Sequence, residues 1–198
     1  MARCRKSHDA TIPQLGVTAA PVDALVLDDV DASSQWVSGA RVLELELDRP
    51  EWLDLRFEGC DLSGVVAKDF MMRRVQFRTT RLRGVAFTNG QYDDGLLLDC
   101  KTDELSMRFS RLRNVTFRDC DLSGADFYSA TFEHVTIESC SLRGARFHSA
   151  DVKCLRIKDC DMSGLAGGLD LKGAVLDLAD LPSLAPSLAG EAGIELVD

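Results

Sequence analysis

No apolar run in these 198 residues approaches the ~20 needed to cross a bilayer. Histidine is scarce, with three in the whole chain. No HExxH, P-loop, GxSxG or paired CxxC occurs, so signatures of zinc hydrolases, nucleotide-phosphate binders, serine hydrolases and dithiol redox proteins are missing. The opening stretch MARCRKSHDATIPQ is basic, but no apolar core follows it. That argues against a secretory signal and for a cytoplasmic protein. A sustained positive charge is missing too. The formal net charge is −9, with −5 in residues 1–54, +1 in residues 55–165 and −5 in residues 166–198. This balance gives no footprint for direct nucleic-acid binding.

What the sequence has is a period. CDLSG stands at 60–64 and again at 120–124, and CDMSG at 160–164. The separations are multiples of 20. Of the 23 residues taken every fifth position from Trp52 to Met162, only Ala67 and Thr102 are not large and apolar. The residue two before each is mostly small or β-branched, and the other three are mainly polar. A helix places apolar residues every 3.6 positions and a strand every 2.0, so period five fits neither. It fits a short extended piece followed by a corner. Four such pieces return the chain to its starting direction, giving a square coil of 20 residues whose copies stack about 4.8 Å apart.

The stretches CDLSG, ADFYS, ATFEH, CSLRG, ARFHS, ADVKC and CDMSG resemble the A(D/N)LXX unit of the pentapeptide repeat family over roughly residues 42–180. The resemblance implies an all-β fold, a right-handed quadrilateral β-helix. Some members of that family resemble B-form DNA in size and charge. They bind DNA gyrase, protecting it from quinolones or inhibiting it, and pair two rods through a C-terminal module. Gyrase interaction is therefore the alternative function, although the near-neutral repeat body lacks the acidic rows that DNA mimicry requires.

Stacking at intervals of 20 makes columns. Cys100, Cys120, Cys140 and Cys160, with Cys60 in line, occupy the small inward position and read as compact core filler. Arg73, Asp93, Arg113, Glu133 and Lys153 alternate in sign, which supports register. Asp94, Asn114, His134 and Cys154 form an outward column that joins a thiol to an imidazole. Catalysis there has little support, because a straight ladder offers no converging pocket. Gly90, Gly95 and Thr102 interrupt the pattern and predict a weak or bulged coil at 90–106.

Three segments follow. Residues 1–40 lack clear periodicity and form a partly flexible N-terminal segment. Residues 41–179 form the β-helix. Residues 180–198 form a helix-and-strand cap or dimer contact, with Asp180 as cap residue, Gly190 as stop and GIELV (193–197) as a strand. Leu181, Leu184 and Leu188 line one helix face and are the candidate contact for a homodimer. With its core column filled, such a rod acts through its surface. The first expectation is a non-enzymatic protein-binding module or scaffold, with no cofactor, metal or membrane partner. Met71, Leu96, Leu98, Phe109 and Tyr128 are the candidate surface contacts.

Overall fold

The computed structural model describes residues 31–33 and 36–197, with side chains from residue 36 onward. The chain is a parallel β-solenoid of about seven square coils. Up to the last coil, paired residues stand 20 apart in sequence. Gln91 sits between Met71 and Arg111, and Phe117 between Leu97 and Ile137. The repeat begins earlier than residue 41, because Asp31–Ser33 pairs with Glu51–Leu53 and Trp36–Ser38 with Arg56–Glu58. Val37 is fully buried, 20 residues below Phe57. Expectations for residues 1–30 lie outside the described residues.

We number the four faces by their central residues. Face 1 holds Trp52, Met72, Tyr92, Leu112 and Phe132. Face 2 holds Phe57, Phe77, Leu97, Phe117 and Ile137. Both are continuous ladders of short strands. Face 3 holds Leu62, Leu82, Thr102, Leu122 and Leu142, and is built of turns joined by single bridges. Face 4 holds Leu47, Ala67, Phe87, Met107, Phe127 and Phe147. It starts as strands at Glu46–Asp48, Val66–Lys68 and Ala86–Thr88, then changes to turns. In the turns the N–H of Ser110, Ala130 and Ala150 bonds to the carbonyl of Met107, Phe127 and Phe147.

The recurring word now has a physical reading. In CDLSG the Cys120 thiol points inward and donates to the carbonyl of Arg118 at 3.2 Å. Asp121 Oδ1 accepts the N–H of Ser123 at 3.2 Å, an Asx-type turn. Leu122 fills the core. Gly124 takes a φ of 68°, which the corner requires and glycine adopts without strain. Face 1 and face 2 corners take the same left-handed turn, mostly with Asp, Asn or Ser.

The supposedly weak coil is intact. Its strands Gln91–Asp93 and Leu96–Leu98 keep full register on both sides. The glycines are there to make room. A Cβ on Gly90 would lie 2.3 Å from the Phe70 carbonyl oxygen, and one on Gly95 would lie 2.1 Å from the Tyr92 ring. Tyr92 is thereby buried, and its hydroxyl donates to the Val75 carbonyl at 2.8 Å. Thr102 is buried as well and donates to the Asp121 carbonyl at 2.6 Å.

The phase slip beyond Met162 is real, since Ile157 pairs with Leu176, 19 residues on. The cap is one helix, α1 (Leu181–Glu191). It differs from the expectation in three ways. Asp180 makes no side-chain cap; its carbonyl instead accepts the Ser183 hydroxyl. The helix passes through Gly190 and ends before Gly193, whose φ is 72°. Residues 193–197 form no strand and are exposed. Leu184 is buried on the coil end, and Leu188 lies over Gly168. Glu191 clamps the cap, accepting the N–H groups of Gly167, Gly168 and Leu169 at 2.6, 2.9 and 3.0 Å. Among the described residues no helix is long and apolar enough to cross a membrane.

Candidate protein-binding ledge

Face 4 changes from strand to turn at Met107, and the first turn ends in Phe109. Its φ is 57°, and it is the only large apolar side chain among the non-glycine residues of positive φ in the described chain. Equivalent corners on this face carry Arg49, Asp69, Asn89, Ser129 and Ser149, four of the five small and polar. Small polar residues tolerate this conformation far better than a bulky one. Phe109 is nonetheless 53% exposed, so core packing does not explain it.

One coil above, Tyr128 meets Phe109 edge-on, with ring centroids 5.5 Å apart and planes at 78°. The Arg108 guanidinium lies 4.7 Å from the Tyr128 ring and 5.5 Å from the Phe109 ring, a cation–π arrangement. Asp126 anchors the group. Its carboxylate accepts Arg108 at 3.0 Å and the Tyr128 N–H at 3.0 Å, and lies 3.4 Å from Arg146. Beside the ledge runs a shallow groove of about 500 Å³ lined by Glu104, Ser106, Gly124, Asp126, Gly144 and Arg146. The missing side chains of Gly124 and Gly144 open it.

The structure brings Phe109 and Tyr128 together and scatters the other candidates. Met71 is exposed on face 1, far around the coil. Leu98 is half-buried on face 2. Leu96 corrects the expectation, because it is only 2% exposed. It stands in register between Gln76 and Thr116, and side chains so closely stacked cover one another. Among the helix leucines, Leu184 is used up by the cap, Leu188 is partly buried and Leu181 is exposed. Arg108 and Asp126 were missed by sequence reasoning. Their signal was present, since each sits beside an inward position on the two coils that carry the aromatics.

The His134 and Cys154 column does not form. His134 keeps the left-handed corner and is exposed, whereas Cys154 is buried and lacks a positive φ. The N–H groups of Lys153 and Cys154 both reach the Phe132 carbonyl, at 3.0 and 3.2 Å. This tighter bend replaces the left-handed corner at Cys154. The cysteines at 60, 100, 120, 140 and 160 are buried free thiols, and burial holds the Cys60 thiol above its ordinary pKa. Among the described residues no three His, Cys, Asp or Glu side chains converge as a metal site would require.

The alternating charge column holds with changed partners. Arg113 pairs with Asp93 at 2.8 Å and Lys153 with Glu133 at 2.5 Å. Arg74 reaches back to Asp54 at 2.5 Å rather than forward to Asp94, which accepts from Asn114 instead. Glu133 also takes Arg111 at 2.7 Å. Hydrogen bonds from Lys153 and then Arg111 pull the Glu133 carboxyl down to about 2.

Comparison with known proteins agrees with the repeat. Residues 99–166 match the family described as the pentapeptide repeat region, so the chain carries this repeat. No curated protein matches significantly. Among solved structures, the chain is similar to QnrB1, a plasmid-mediated fluoroquinolone resistance protein. The identity is 14% and the TM-score 0.48, covering 83% of this chain and 90% of that one. It is also similar to Rfr23, a pentapeptide repeat protein from the cyanobacterium Cyanothece, at 14% identity and a TM-score of 0.23, covering 72% and 91%. A third is HetL from Nostoc, involved in heterocyst differentiation regulation, at 11% identity and a TM-score of 0.22, covering 74% and 91%.

Proposed function

We propose that this chain is a non-enzymatic, cytoplasmic protein-binding module whose contact surface is the Phe109–Tyr128 ledge on face 4. The observation that carries this reading is Phe109 itself. A left-handed backbone costs a non-glycine residue about 1–2 kcal/mol, and a half-exposed ring recovers little of that by burial. A sequence selected for stability alone would carry Asn or Ser there, as the neighbouring coils do. Aromatic residues with an adjacent arginine are the residue types that dominate protein interfaces. The test is a photo-crosslinking residue placed at position 109 and, as control, at position 88, in cells of the source organism. A discrete adduct at 109, absent at 88 and competed away by excess unmodified chain, supports the ledge. Equal labelling at both positions, or none, removes it.

The C-terminal end supports a second contact, with another copy of the chain. Leu169, Leu178 and Leu181 are all exposed in the C-terminal segment, and exposed apolar side chains at a solenoid end suit pairing with a second copy. Sedimentation should report a dimer that Leu178→Glu with Leu181→Glu converts to monomer. A wild-type monomer at high concentration ends the idea.

A gyrase partner reached by DNA mimicry rests on the family resemblance alone. Each face carries nearly as many basic as acidic residues, and the ion pairs above leave no bare acidic row on face 1. A supercoiling assay decides. Inhibition, or rescue from a quinolone, at micromolar protein or below would transfer the assignment to gyrase.

A further inference from the structure

We infer that the partner segment is acidic and carries an apolar side chain, an inference that rests on the ledge as the protein-binding site. One carboxylate stands in the ledge and one on the adjoining face 1, which the chain enters at Arg111 two residues after Phe109, and each is shared by two cations. Asp126 takes Arg108 and Arg146; Glu133 takes Arg111 and Lys153. The acids are recessed and the cations project. Asp126 and Glu133 side chains are 11% and 14% exposed, whereas Arg108, Arg146, Arg111 and Lys153 are 43%, 57%, 50% and 54% exposed. A surface that looks balanced when charges are counted is therefore cationic where a partner would touch it. Arg108 and Arg146 have only Asp126 between them, and Arg111 and Lys153 share Glu133, with Asp151 at the longer distance of 3.9 Å from Lys153. Exposed carboxylates stand nearby at Glu104, at the opposite corner of the same side, and at Asp151, 3.9 Å from Lys153.

The chemistry that fits is a short polypeptide segment. Its carboxylates would take the free edges of the planar guanidinium groups. Its apolar side chain would lie on the Phe109 and Tyr128 rings. A nucleic acid fits less well. Its phosphates run well beyond the ledge, into the field of a chain of net charge −9, and it gains little from cations already half-neutralised. A peptide with two or three carboxylates can stay within about one Debye length, ~8 Å at physiological salt.

The test selects a random-peptide display library on the full chain. The enriched peptides are synthesised and titrated against wild type, Phe109→Ser, the double variant Arg111→Gln with Arg146→Gln, and Thr88→Ala as control. Serine already stands at equivalent corners, so Phe109→Ser keeps the fold. The expected peptides are richer in Asp and Glu than the library and contain an aromatic or long aliphatic residue. Phe109→Ser and the double arginine variant should each weaken them by about tenfold or more, with Thr88→Ala neutral. Peptides that need Phe109 but ignore the arginines overturn the acidic partner while keeping the ledge. Peptides that ignore Phe109, or no enrichment at all, overturn both. Fluorescent oligothymidine that binds more tightly than any selected peptide, and does so through Phe109, assigns the site to single-stranded nucleic acid instead.

Discussion

Faces 1 and 2 are ladders, while face 3 and the later part of face 4 are stacks of turns, although one five-residue unit builds all of them. On the ladders, side chains 20 apart stand opposite each other, and charges use that closeness. Arg118 holds Glu138 and Arg113 holds Asp93, both across one coil step. On the turns, polar groups serve the local backbone as well. Asp61 binds both the N–H and the hydroxyl of Ser63, and Asp161 does the same with Ser163. Glycine then takes the left-handed corner. The ladders therefore spend their outer residues on register between coils. The turns divide theirs between that duty and the local backbone, since Arg83 still reaches Asp103 and Arg146 reaches Asp126 across one coil step, and the unusual surface, Phe109 with Tyr128 and Arg108, stands on a turn face.

The strongest way to break this comparison is through the core. Phe117 lies behind a ladder and Phe127 behind a turn, and both are fully buried. Phe117→Ala and Phe127→Ala should each cost about 3–5 kcal/mol in urea unfolding, because packing density does not depend on which backbone lies outside. A much smaller loss at Phe127 would show the turn side to be softer than its packing implies. Next comes Gly90→Ala. The new Cβ meets a backbone oxygen that cannot rotate away, so roughly 3 kcal/mol should be lost. An unchanged midpoint would mean the coil slides to accommodate it.

Phe109→Asn sharpens the comparison. Relief of the left-handed backbone is worth about 1–2 kcal/mol, against about 0.5–1.5 kcal/mol for the lost aromatic contact. Stability should stay within about 1 kcal/mol of wild type while binding at the ledge is lost. A large destabilisation would make Phe109 a structural residue. The smallest effect concerns face 1. The Glu133 carboxyl titrates in the folded chain at about 2 rather than its ordinary 4.5. Its contribution is full above pH 4.5 and is lost as the pH falls toward 2. Glu133→Gln should thus melt lower than wild type near neutral pH, and the gap should close across that acid window. A gap that ignores pH would show that hydrogen bonding rather than charge holds the pair.

Much of this was legible because the rule is one-dimensional. Phase modulo five named the buried column, and phase modulo twenty named the neighbours. Leu96 escaped because its burial depends on what its two coil neighbours happen to be. Cys154 escaped because two amides share one carbonyl and change a corner. Phe109 and Tyr128 were visible as outward aromatics, but not as a pair held by Arg108 and Asp126. That needed the turn geometry of face 4, which a period in sequence does not report.

The sequence by itself determined the coil, its register and its filled core, since each follows from which residues recur and how large they are. Tertiary structure alone decided which charges pair, which corner strains and which surface stands open. Those outcomes depend on distances across coils and around corners, where small differences in backbone angle change which group a side chain meets.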